Sequence, residues 1–347
     1  MKLPPALRLG DTIAFFAPAS GLAVPVVHRL MQGKAFFESR GYVVKLYPSC
    51  FASGAYSSTS GEERAAELMD AFQDPSVKAL ISTIGGLTSH EMLEFLDFDV
   101  LRAHPTIFCG FSDVTTLHLA LHAHTELVTF YGPSVLCQFG EFPAPLPYTV
   151  DSFFRAVAAP PTPIGHVLPS IEWTDDKSIN WFSKADMTTP RPMQPNTTGH
   201  EWLRAGAARV TAPLLGGCLP VLLNVFGTPH MPSLNGCILL LETPESDAAF
   251  DQGMSMDAAN RCLGVLRANE TLRHVRGVVV GRPFALSADQ TTELKRLVLY
   301  HTRGYEYPIV FGVDCGHSDP LGTWPLGVPL TLDAAANVVS IDGPGVQ

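Results

Sequence analysis

The first 135 residues alternate between short apolar stretches and longer stretches with apolar residues at helical spacing, and this alternation constrains the fold more than any other feature. It predicts strands over 11–16, 42–46, 79–83 and 106–110 and helices over 26–39, 61–74, 90–96 and 115–122. Strands and helices that alternate with short links form parallel sheets with helices packed on them. We therefore expect an α/β fold built on a parallel sheet.

A change of composition separates this half from the rest of the chain. Residues 143–169 include seven prolines, the first Pro143 and the last Pro169, which is typical of a linker, although 150–158 has helical spacing. Residues 174–202 are polar and aromatic without a clear period and are predicted to be a long loop. Beyond them we expect strands at 238–242, 275–281 and 308–313 and a helix at 289–302. The predicted domains are 1–145 and 171–347, joined by a linker over 146–170.

Composition and charge argue against several classes of protein. Hydrophobic residues make up 46% of the chain and charged residues 16%, which indicates a large core. The formal charge of −10 argues against a nucleic-acid partner. No apolar run is long enough to span a membrane, and the first residues do not resemble a signal peptide. Seven scattered cysteines without a CxxC pair indicate reduced thiols, so we expect a cytoplasmic protein without a zinc site.

The segment Gly110-Phe-Ser112-Asp-Val-Thr joins a predicted strand to a predicted helix. A serine on such a turn exposes its hydroxyl, and the next backbone N–H points towards an oxyanion attached to it, as in the nucleophile elbow of serine hydrolases. Val114 stands where the usual motif has its second glycine. Taken alone, the segment also fits a serine that only caps the helix.

Two glycines and a histidine also follow predicted strands. Gly85 and Gly86 would let backbone N–H groups approach a ligand closely, as an oxyanion hole requires, or they would only form a tight turn. His317 lies between Gly316 and Pro320 in a short loop after the strand 308–313. Functional residues often lie on such loops at the end of a rigid strand.

A carboxylate completes this set. Glu242 ends the apolar strand 238–242, where we expect it to be exposed enough to ionise and rigid enough to orient a histidine. Glu245 and Asp247 are alternative candidates for this role, but they lie beyond a proline in a predicted loop. Ser112, Glu242 and His317 follow one another in one of the known orders of hydrolytic triads.

Two other interpretations are weaker. His118 and His122 are four residues apart with His124 nearby, which suits a metal, but their helix is mostly apolar and core packing is favoured. A nucleotide-binding dehydrogenase would also have an alternating sheet. It would need a G-x-G-x-x-G motif after the first strand, where this chain reads A-P-A-S-G.

Ten motifs occur in series along the chain. They are L-G-D-T-I-A-F-F-A-P-A-S (9–20), G-E-E-R-A-A-E-L-M-D-A-F (61–72), T-I-G-G (83–86), G-F-S-D-V-T-T-L-H-L-A-L (110–121), F-Y-G-P (130–133), L-L-G-G-C-L (214–219), F-G-T-P (226–229), L-L-L-E-T (239–243), V-G-R-P (280–283) and G-H-S-D-P (316–320). In this order they resemble the LD-carboxypeptidase family of serine peptidases. The likeness covers nearly the whole chain.

The resemblance implies a mechanism and a fold. It makes Ser112 the nucleophile, His317 the general base and then acid, and Glu242 the group that orients His317. The oxyanion hole would consist of the backbone N–H groups of Gly86 and Asp113. The implied fold has an N-terminal Rossmann-like parallel sheet with helices on both faces and a smaller β-rich C-terminal domain. The implied assembly is a homodimer, without a metal or an organic cofactor.

The family has two branches that differ in substrate. One trims murein tetrapeptides in cell-wall recycling, and the other resembles the microcin C immunity peptidases, which cleave an amide between an acidic amino acid and a nucleotide-like group. The segments I-N-W-F (179–182), P-N-T-T-G-H-E-W-L (195–203) and V-G-R-P, and T-I-G-G in place of R-G-G, favour the second branch. One departure is G-H-E-W (199–202), where that branch more often has Gly-Trp.

This resemblance implies a small peptide or an aminoacyl-nucleotide as substrate. Trp181 would stack on a base, and Gly85 and Arg282 would contact the substrate. The alternatives are a murein tetrapeptide carboxypeptidase and a binding protein that has kept the fold without turnover.

Overall fold

The computed structural model describes residues 1–158, 160–176, 180–246 and 249–347. The elements of its N-terminal half are β1 (Thr12–Phe16), α1 (Val27–Glu38), β2 (Val43–Leu46), α2 (Gly61–Gln73), β3 (Val77–Ser82), α3 (Phe98–Ala103), β4 (Ile107–Gly110), α4 (Thr115–Thr125), β5 (Thr129–Tyr131) and α5 (Pro147–Val157). Those that follow are β6 (Gly165–His166), β7 (Glu172–Trp173), β8 (Gln194–Pro195), β9 (Glu201–Arg204), β10 (Val210–Cys218), α6 (Leu219–Asn224), β11 (Ile238–Glu242), β12 (Glu245–Ser246), β13 (Ala249–Gly253), α7 (Met256–Ala268), α8 (Thr271–His274), β14 (Gly277–Gly281), α9 (Ala288–His301), β15 (Ile309–Val313), β16 (Trp324–Leu326), β17 (Pro329–Asp333) and β18 (Val338–Ile341).

The N-terminal sheet has the strand order β2-β1-β3-β4-β5-β16. The strands β1 to β5 pair in parallel, and β16 runs antiparallel to β5 with Trp324 opposite Tyr131. The strand order reverses between β1 and β3, and ligands of open parallel sheets bind beyond the carboxyl ends of the strands at such a point. The segments that follow β1 and β3 meet here, since the Ser20 N–H donates to the Gly85 carbonyl oxygen at 3.1 Å.

Helices cover both faces of this sheet, as predicted. Successive side chains of a strand point to opposite faces. Ile13 and Phe15 of β1 belong to one apolar cluster with residues of α1, whereas Ala14 and Phe16 belong to a second cluster with residues of α2. The hydrophobic stripe of α2 starts at a capping box, in which the Ser60 side chain accepts a hydrogen bond from the Glu63 N–H.

The second sheet has the order β6-β18-β17-β10-β11-β14-β15-β9. Its central strands β10, β11, β14 and β15 are parallel, so their carboxyl ends lie at one edge. Cys218 and Glu242 are register partners at the ends of β10 and β11, and His317 follows β15 by four residues. This separate C-terminal sheet and the N-terminal parallel sheet confirm the expected fold class.

Several elements differ from the sequence-based expectations. The expected helix over 90–96 is a 3-10 helix, Ser89–Phe95. The expected loop over 174–202 includes strand β8, which pairs with β7, and the start of β9, which pairs with β15. Helix α5 agrees with the helical spacing of 150–158 but begins earlier, at Pro147, and β16 completes the N-terminal sheet although its residues belong to the expected C-terminal domain. The domain boundaries stay a prediction.

Candidate active site

Ser112 lies on the turn between β4 and α4 with a φ of +63°. A left-handed backbone costs a residue with a side chain about 1 kcal/mol or more. The last residue of β4 is held by a buried histidine: His118 Nε2 lies 2.9 Å from the Gly110 carbonyl oxygen, and its Nδ1 lies 2.8 Å from Thr129 Oγ1. Burial lowers the pKa of His118 to about 4, so the ring is neutral. The prediction that His118 packs in the core is confirmed.

His317 connects Ser112 to Glu242. Its Nε2 lies 3.0 Å from Ser112 Oγ and its Nδ1 lies 2.8 Å from Glu242 Oε2. Because a carboxylate only accepts hydrogen bonds, Nδ1 carries a proton, and in its neutral form the ring presents a lone pair at Nε2 to the serine hydroxyl. The approach of the His317 loop to Glu242 requires a glycine at 316, where φ is +103° and a Cβ atom would lie 2.8 Å from Glu242 Oε2.

The burial of Glu242 corrects the expectation that the end of β11 is exposed. Its exposed fraction is 0% because β10, β14 and the His317 loop surround it. Burial by itself raises the pKa of a carboxyl, but His317, the Tyr131 hydroxyl at 2.6 Å and the Cys218 thiol donate hydrogen bonds to Glu242. Together they hold the pKa of Glu242 below its ordinary value, so it stays ionised without contact with water.

Two hydroxyl groups hold the backbone of Ser112. The Ser112 N–H donates to the Tyr131 hydroxyl oxygen at 3.1 Å, and the same hydroxyl donates to Glu242. The Thr115 hydroxyl donates to the Ser112 carbonyl oxygen at 2.6 Å and accepts from the Cys218 N–H at 3.0 Å. Both hydroxyls therefore connect the serine turn to the strand pair β10–β11. We call Tyr131 and Thr115 the hydroxyl clamp.

Gly85, which precedes the predicted oxyanion residue Gly86, lies beside Ser112 and the backbone nitrogen of Asp113. A Cβ atom at Gly85 would lie 3.1 Å from both Ser112 Oγ and the backbone nitrogen of Asp113, and Gly86 has a φ of +149°. The Asp113 side chain points away from this place, since Oδ2 accepts a hydrogen bond from the buried Ser89 N–H at 2.9 Å. Burial raises the pKa of the Asp113 carboxyl.

Glu245 approaches His317 from the other side. Its Oε2 lies 3.1 Å from His317 Nε2, the nitrogen that faces Ser112, and its side chain is 33% exposed. Glu245 belongs to the short strand β12, which pairs with β13, rather than to a loop. The other alternative candidate, Asp247, lies outside the described residues.

The described side-chain contacts of Trp181 and Arg282 are with Arg29, Asp314 and Trp173. Trp181 covers the guanidinium of Arg29, whose carbon lies 4.1 Å from the ring centroid. Arg282 forms an ion pair with Asp314 at 2.8 Å and lies 4.9 Å from the ring centroid of Trp173. These contacts do not include the three residues Ser112, Glu242 and His317. Ile179, in the same motif as Trp181, lies outside the described residues.

A buried ionic network connects residues 181–191, which we call the Trp181 segment, to the His317 loop. Arg29 binds Asp186 at 2.7 Å and Glu141 at 3.3 Å. Arg191 binds the same Glu141 at 2.8 Å and Asp319 at 2.6 Å. Asp319 follows His317 by two residues. The position of the segment is therefore coupled to the loop that carries the imidazole.

Sequence reasoning missed the hydroxyl clamp and the contact of Glu245. Tyr131 lies in the motif F-Y-G-P at the end of β5, so the strand-end rule that selected Ser112 and Glu242 applies to it as well. Thr115 carries no comparable signal, because helices often begin with threonine.

The described residues contain no group of three or more His, Cys, Asp or Glu side chains placed to bind a metal ion. Over the same residues, every helix is too short or too polar to cross a membrane.

Comparison with known proteins identifies the family. Residues 13–132 match the LD-carboxypeptidase N-terminal domain, and residues 211–332 match the LD-carboxypeptidase C-terminal domain. The chain is 31% identical over 338 residues to the microcin C7 self-immunity protein MccF of Escherichia coli, covering 96% of this chain and 94% of the other. This chain is a member of the LD-carboxypeptidase family. It is accordingly a hydrolase of the peptidase class.

One further relative and one solved structure of MccF correspond to the two expected branches. The murein tetrapeptide carboxypeptidase of Pseudomonas aeruginosa is 26% identical over 92% of each chain. A solved structure of MccF in complex with aspartyl sulfamoyl adenosine has a TM-score of 0.90 and 28% identity, covering 100% of both chains. The expected resemblance to the microcin C immunity branch is thereby confirmed.

Proposed function

We propose that this protein is a serine peptidase that uses Ser112, His317 and Glu242 as a catalytic triad. One observation carries the proposal: Ser112 Oγ, the His317 ring and Glu242 form one hydrogen-bonded chain with contacts of 3.0 and 2.8 Å. The strained backbone of Ser112 supports the assignment, because such strain is concentrated at active sites.

The geometry supports a two-step acyl transfer. Ser112 Oγ attacks the carbonyl carbon of the substrate while Nε2 of His317 takes the hydroxyl proton, and Glu242 stabilises the resulting imidazolium. The backbone N–H groups of Gly86 and Asp113 donate to the oxyanion. Nε2 then protonates the leaving nitrogen, the C–N bond breaks, and an ester to Ser112 remains. Water hydrolyses this ester, with His317 again acting as the base.

The substrate we propose is an aminoacyl-nucleotide amide or a similar small peptide. The similarity to MccF supports it, since MccF is a microcin C7 self-immunity protein and has been solved with aspartyl sulfamoyl adenosine. Trp181, whose ring covers the Arg29 guanidinium, would stack on the base. Gly85, beside Ser112 Oγ, would contact the substrate directly, while Arg282 would act through its pair with Asp314.

The test of this function compares two substrates, a murein tetrapeptide with a terminal D-alanine and aspartyl sulfamoyl adenosine. We expect the nucleotide to be preferred. Trp181→Ala should weaken binding of the nucleotide by roughly tenfold to a hundredfold, because stacking on one base contributes ~1–3 kcal/mol. Cleavage of the tetrapeptide should stay nearly unchanged. Faster cleavage of the tetrapeptide, with an equal effect of Trp181→Ala on both substrates, would assign the protein to murein recycling instead.

The triad is tested by Ser112→Ala and His317→Ala, each of which should lower kcat by ~10³-fold or more, and by Glu242→Gln, which should lower it somewhat less. A serine-reactive phosphonate should label Ser112 in the wild type. A protein that binds the nucleotide but neither forms this adduct nor turns over would be a binding protein with the same fold.

We further propose that the protein is a cytoplasmic homodimer that needs no cofactor. The seven cysteines are thiols rather than disulfides, and six of them are buried, which suits a reducing compartment. The homodimer rests on the family resemblance. Light scattering at several concentrations tests it, and a constant mass of one chain would contradict it.

A further inference from the structure

Glu245 is a carboxylate whose described partner, His317, changes its charge during the proposed reaction. Among the residues that the structure describes, no lysine or arginine forms an ion pair with Glu245. Its neighbour at 3.1 Å is His317 Nε2, which is cationic only when the imidazole is protonated at both nitrogens. One third of the side chain is exposed, so the carboxylate is open to a ligand that enters the site. By contrast, Glu242 on the opposite side of the ring is fully buried.

The contact with Glu245 is favourable only when His317 is protonated at both nitrogens. Nδ1 donates to Glu242, so the neutral ring has a lone pair at Nε2. In that state Nε2 accepts a hydrogen bond from the Ser112 hydroxyl. The Glu245 oxygen beside Nε2 is also an acceptor, so the two atoms form no hydrogen bond with each other. The enzyme that is ready to attack a substrate therefore leaves Glu245 without a donor from His317. A group that supplies a positive charge at this place would be bound strongly.

The place is within reach of one particular atom of the substrate. The contacts of 3.0 and 3.1 Å around Nε2 put Glu245 Oε2 within about 6 Å of Ser112 Oγ. In a complex poised for attack, the carbonyl carbon of the substrate lies about 3–3.5 Å from Ser112 Oγ. In an amino acid the α-nitrogen is about 2.5 Å from its carbonyl carbon, as ordinary bond lengths dictate. An α-ammonium group on the acyl residue can therefore contact Glu245 directly.

We propose that Glu245 forms a subsite for the free α-ammonium group of the residue whose carbonyl is attacked. This inference rests on the proposed function and narrows it to amides of single amino acids with a free amino group. A residue inside a longer peptide has its α-nitrogen in a peptide bond, which carries no charge, so Glu245 disfavours such substrates. The ammonium group also draws the carboxylate away from Nε2 and leaves that nitrogen to Ser112.

The experiment compares aspartyl sulfamoyl adenosine with succinyl sulfamoyl adenosine, which lacks only the α-amino group. The readout is the ratio of the two kcat/KM values, because a change in Glu245 that alters His317 affects both substrates and cancels in the ratio. We expect the wild type to prefer the amino compound by about tenfold, the effect of one charge-assisted hydrogen bond at a partly exposed site. Glu245→Gln should reduce the ratio to about one, and Glu245→Asp should keep part of the preference. The control Glu306→Gln removes an exposed charge elsewhere and should keep the wild-type ratio.

The outcomes separate the inference from the function on which it rests. The ammonium subsite is overturned if the wild type shows no preference, with a ratio of about one, or if Glu245→Gln keeps the preference of the wild type. The proposed nucleotide peptidase stands in both cases. If the wild type cleaves neither nucleotide, the proposed function itself is overturned. The wild-type ratio and Glu245→Asp keep the test decisive if the glutamine variant does not fold.

Discussion

Ser112 combines an unfavourable backbone conformation with hydrogen bonds that hold both of its backbone polar groups. The hydroxyl clamp supplies these bonds from Tyr131 and Thr115, and each of the two hydroxyls also bonds to a residue at the end of β10 or β11. A left-handed serine persists only where its surroundings hold it. The clamp therefore offsets the strain and sets the distance between the proposed nucleophile and Glu242.

The first prediction concerns Tyr131. In Tyr131→Phe the Ser112 N–H and Glu242 Oε1 each lose a hydrogen bond, and we expect kcat to fall by about tenfold or more with little change in KM. Because the bond from Tyr131 helps to hold the pKa of Glu242 low, that pKa rises in the variant. Glu242 in the variant therefore becomes protonated at a higher pH than in the wild type. The acidic limb of the kcat/KM profile should shift to higher pH accordingly.

Two measurements separate this positioning role from a structural one. Thermal unfolding reports the loss of stability, which a merely structural tyrosine would also show. The pH profile moves only if Tyr131 acts on Glu242. Tyr300→Phe, at a half-exposed position on α9, is the matched control and should leave the profile unchanged. An unshifted acidic limb in Tyr131→Phe would refute the role.

The second prediction concerns Gly316. Gly316→Ala would place a Cβ atom 2.8 Å from Glu242 Oε2 on a backbone with a φ of +103°. We expect at least a hundredfold loss of kcat and a lower Tm. Gly304→Ala separates the two causes, because its φ is +84° but no atom lies within 4 Å of the added carbon. If both variants behave alike, backbone strain rather than contact with Glu242 explains the requirement for glycine.

At the scale of elements, the carboxyl ends of strands from both sheets supply the site. β4 ends before Ser112, β11 ends with Glu242, and β15 leads to the His317 loop. Rigid strands fix the starting point of each segment, and the segments beyond them are fixed by polar contacts. These contacts include the buried ion pairs of Arg191 with Glu141 and Asp319.

The third prediction tests this network. Arg191→Met removes the guanidinium and leaves Glu141 and Asp319 buried without that partner. Loss of one partner of a buried ion pair costs about 3–5 kcal/mol of the free energy of unfolding. Urea denaturation should show a loss of this size, while Arg209→Met, whose side chain is 62% exposed, should cost less than about 0.5 kcal/mol. Equal effects of the two substitutions would show that the network does not stabilise the His317 loop.

At the scale of the molecule, the two sheets share one apolar core. A single cluster of buried side chains includes Ile13 of the N-terminal sheet, Leu239 of the C-terminal sheet, and Trp324 of β16, which pairs with β5. The chain passes from the second sheet back to the first between β15 and β16. Neither sheet can therefore lose its packing without exposing apolar surface of the other.

The fourth prediction follows from this shared core. We expect a single cooperative unfolding transition, with calorimetric and van't Hoff enthalpies that agree. Scanning calorimetry checks it, with tryptophan fluorescence as a second probe. Two separate transitions, or probes with different midpoints, would mean that the sheets unfold independently.

The sequence by itself determined the order of strands and helices and the residues at the strand ends. Apolar spacing is a local property, since it depends on residues a few positions apart. The parallel sheet, helices α1, α2, α4 and α9, and the strand-end positions of Ser112, Glu242 and His317 could therefore be predicted. Helix α7 and strands β10, β17 and β18 escaped prediction because their patterns are weaker.

Only the tertiary structure decided which side chains meet. Tyr131 and Glu242 are 111 positions apart, and His317 and Ser112 are 205 apart, so no local pattern encodes their contacts. The full burial of Glu242, the approach of Glu245 to His317 and the pairing of Trp181 with Arg29 arise for the same reason. Each depends on how two sheets pack against each other, and packing joins residues by distance in space rather than along the chain.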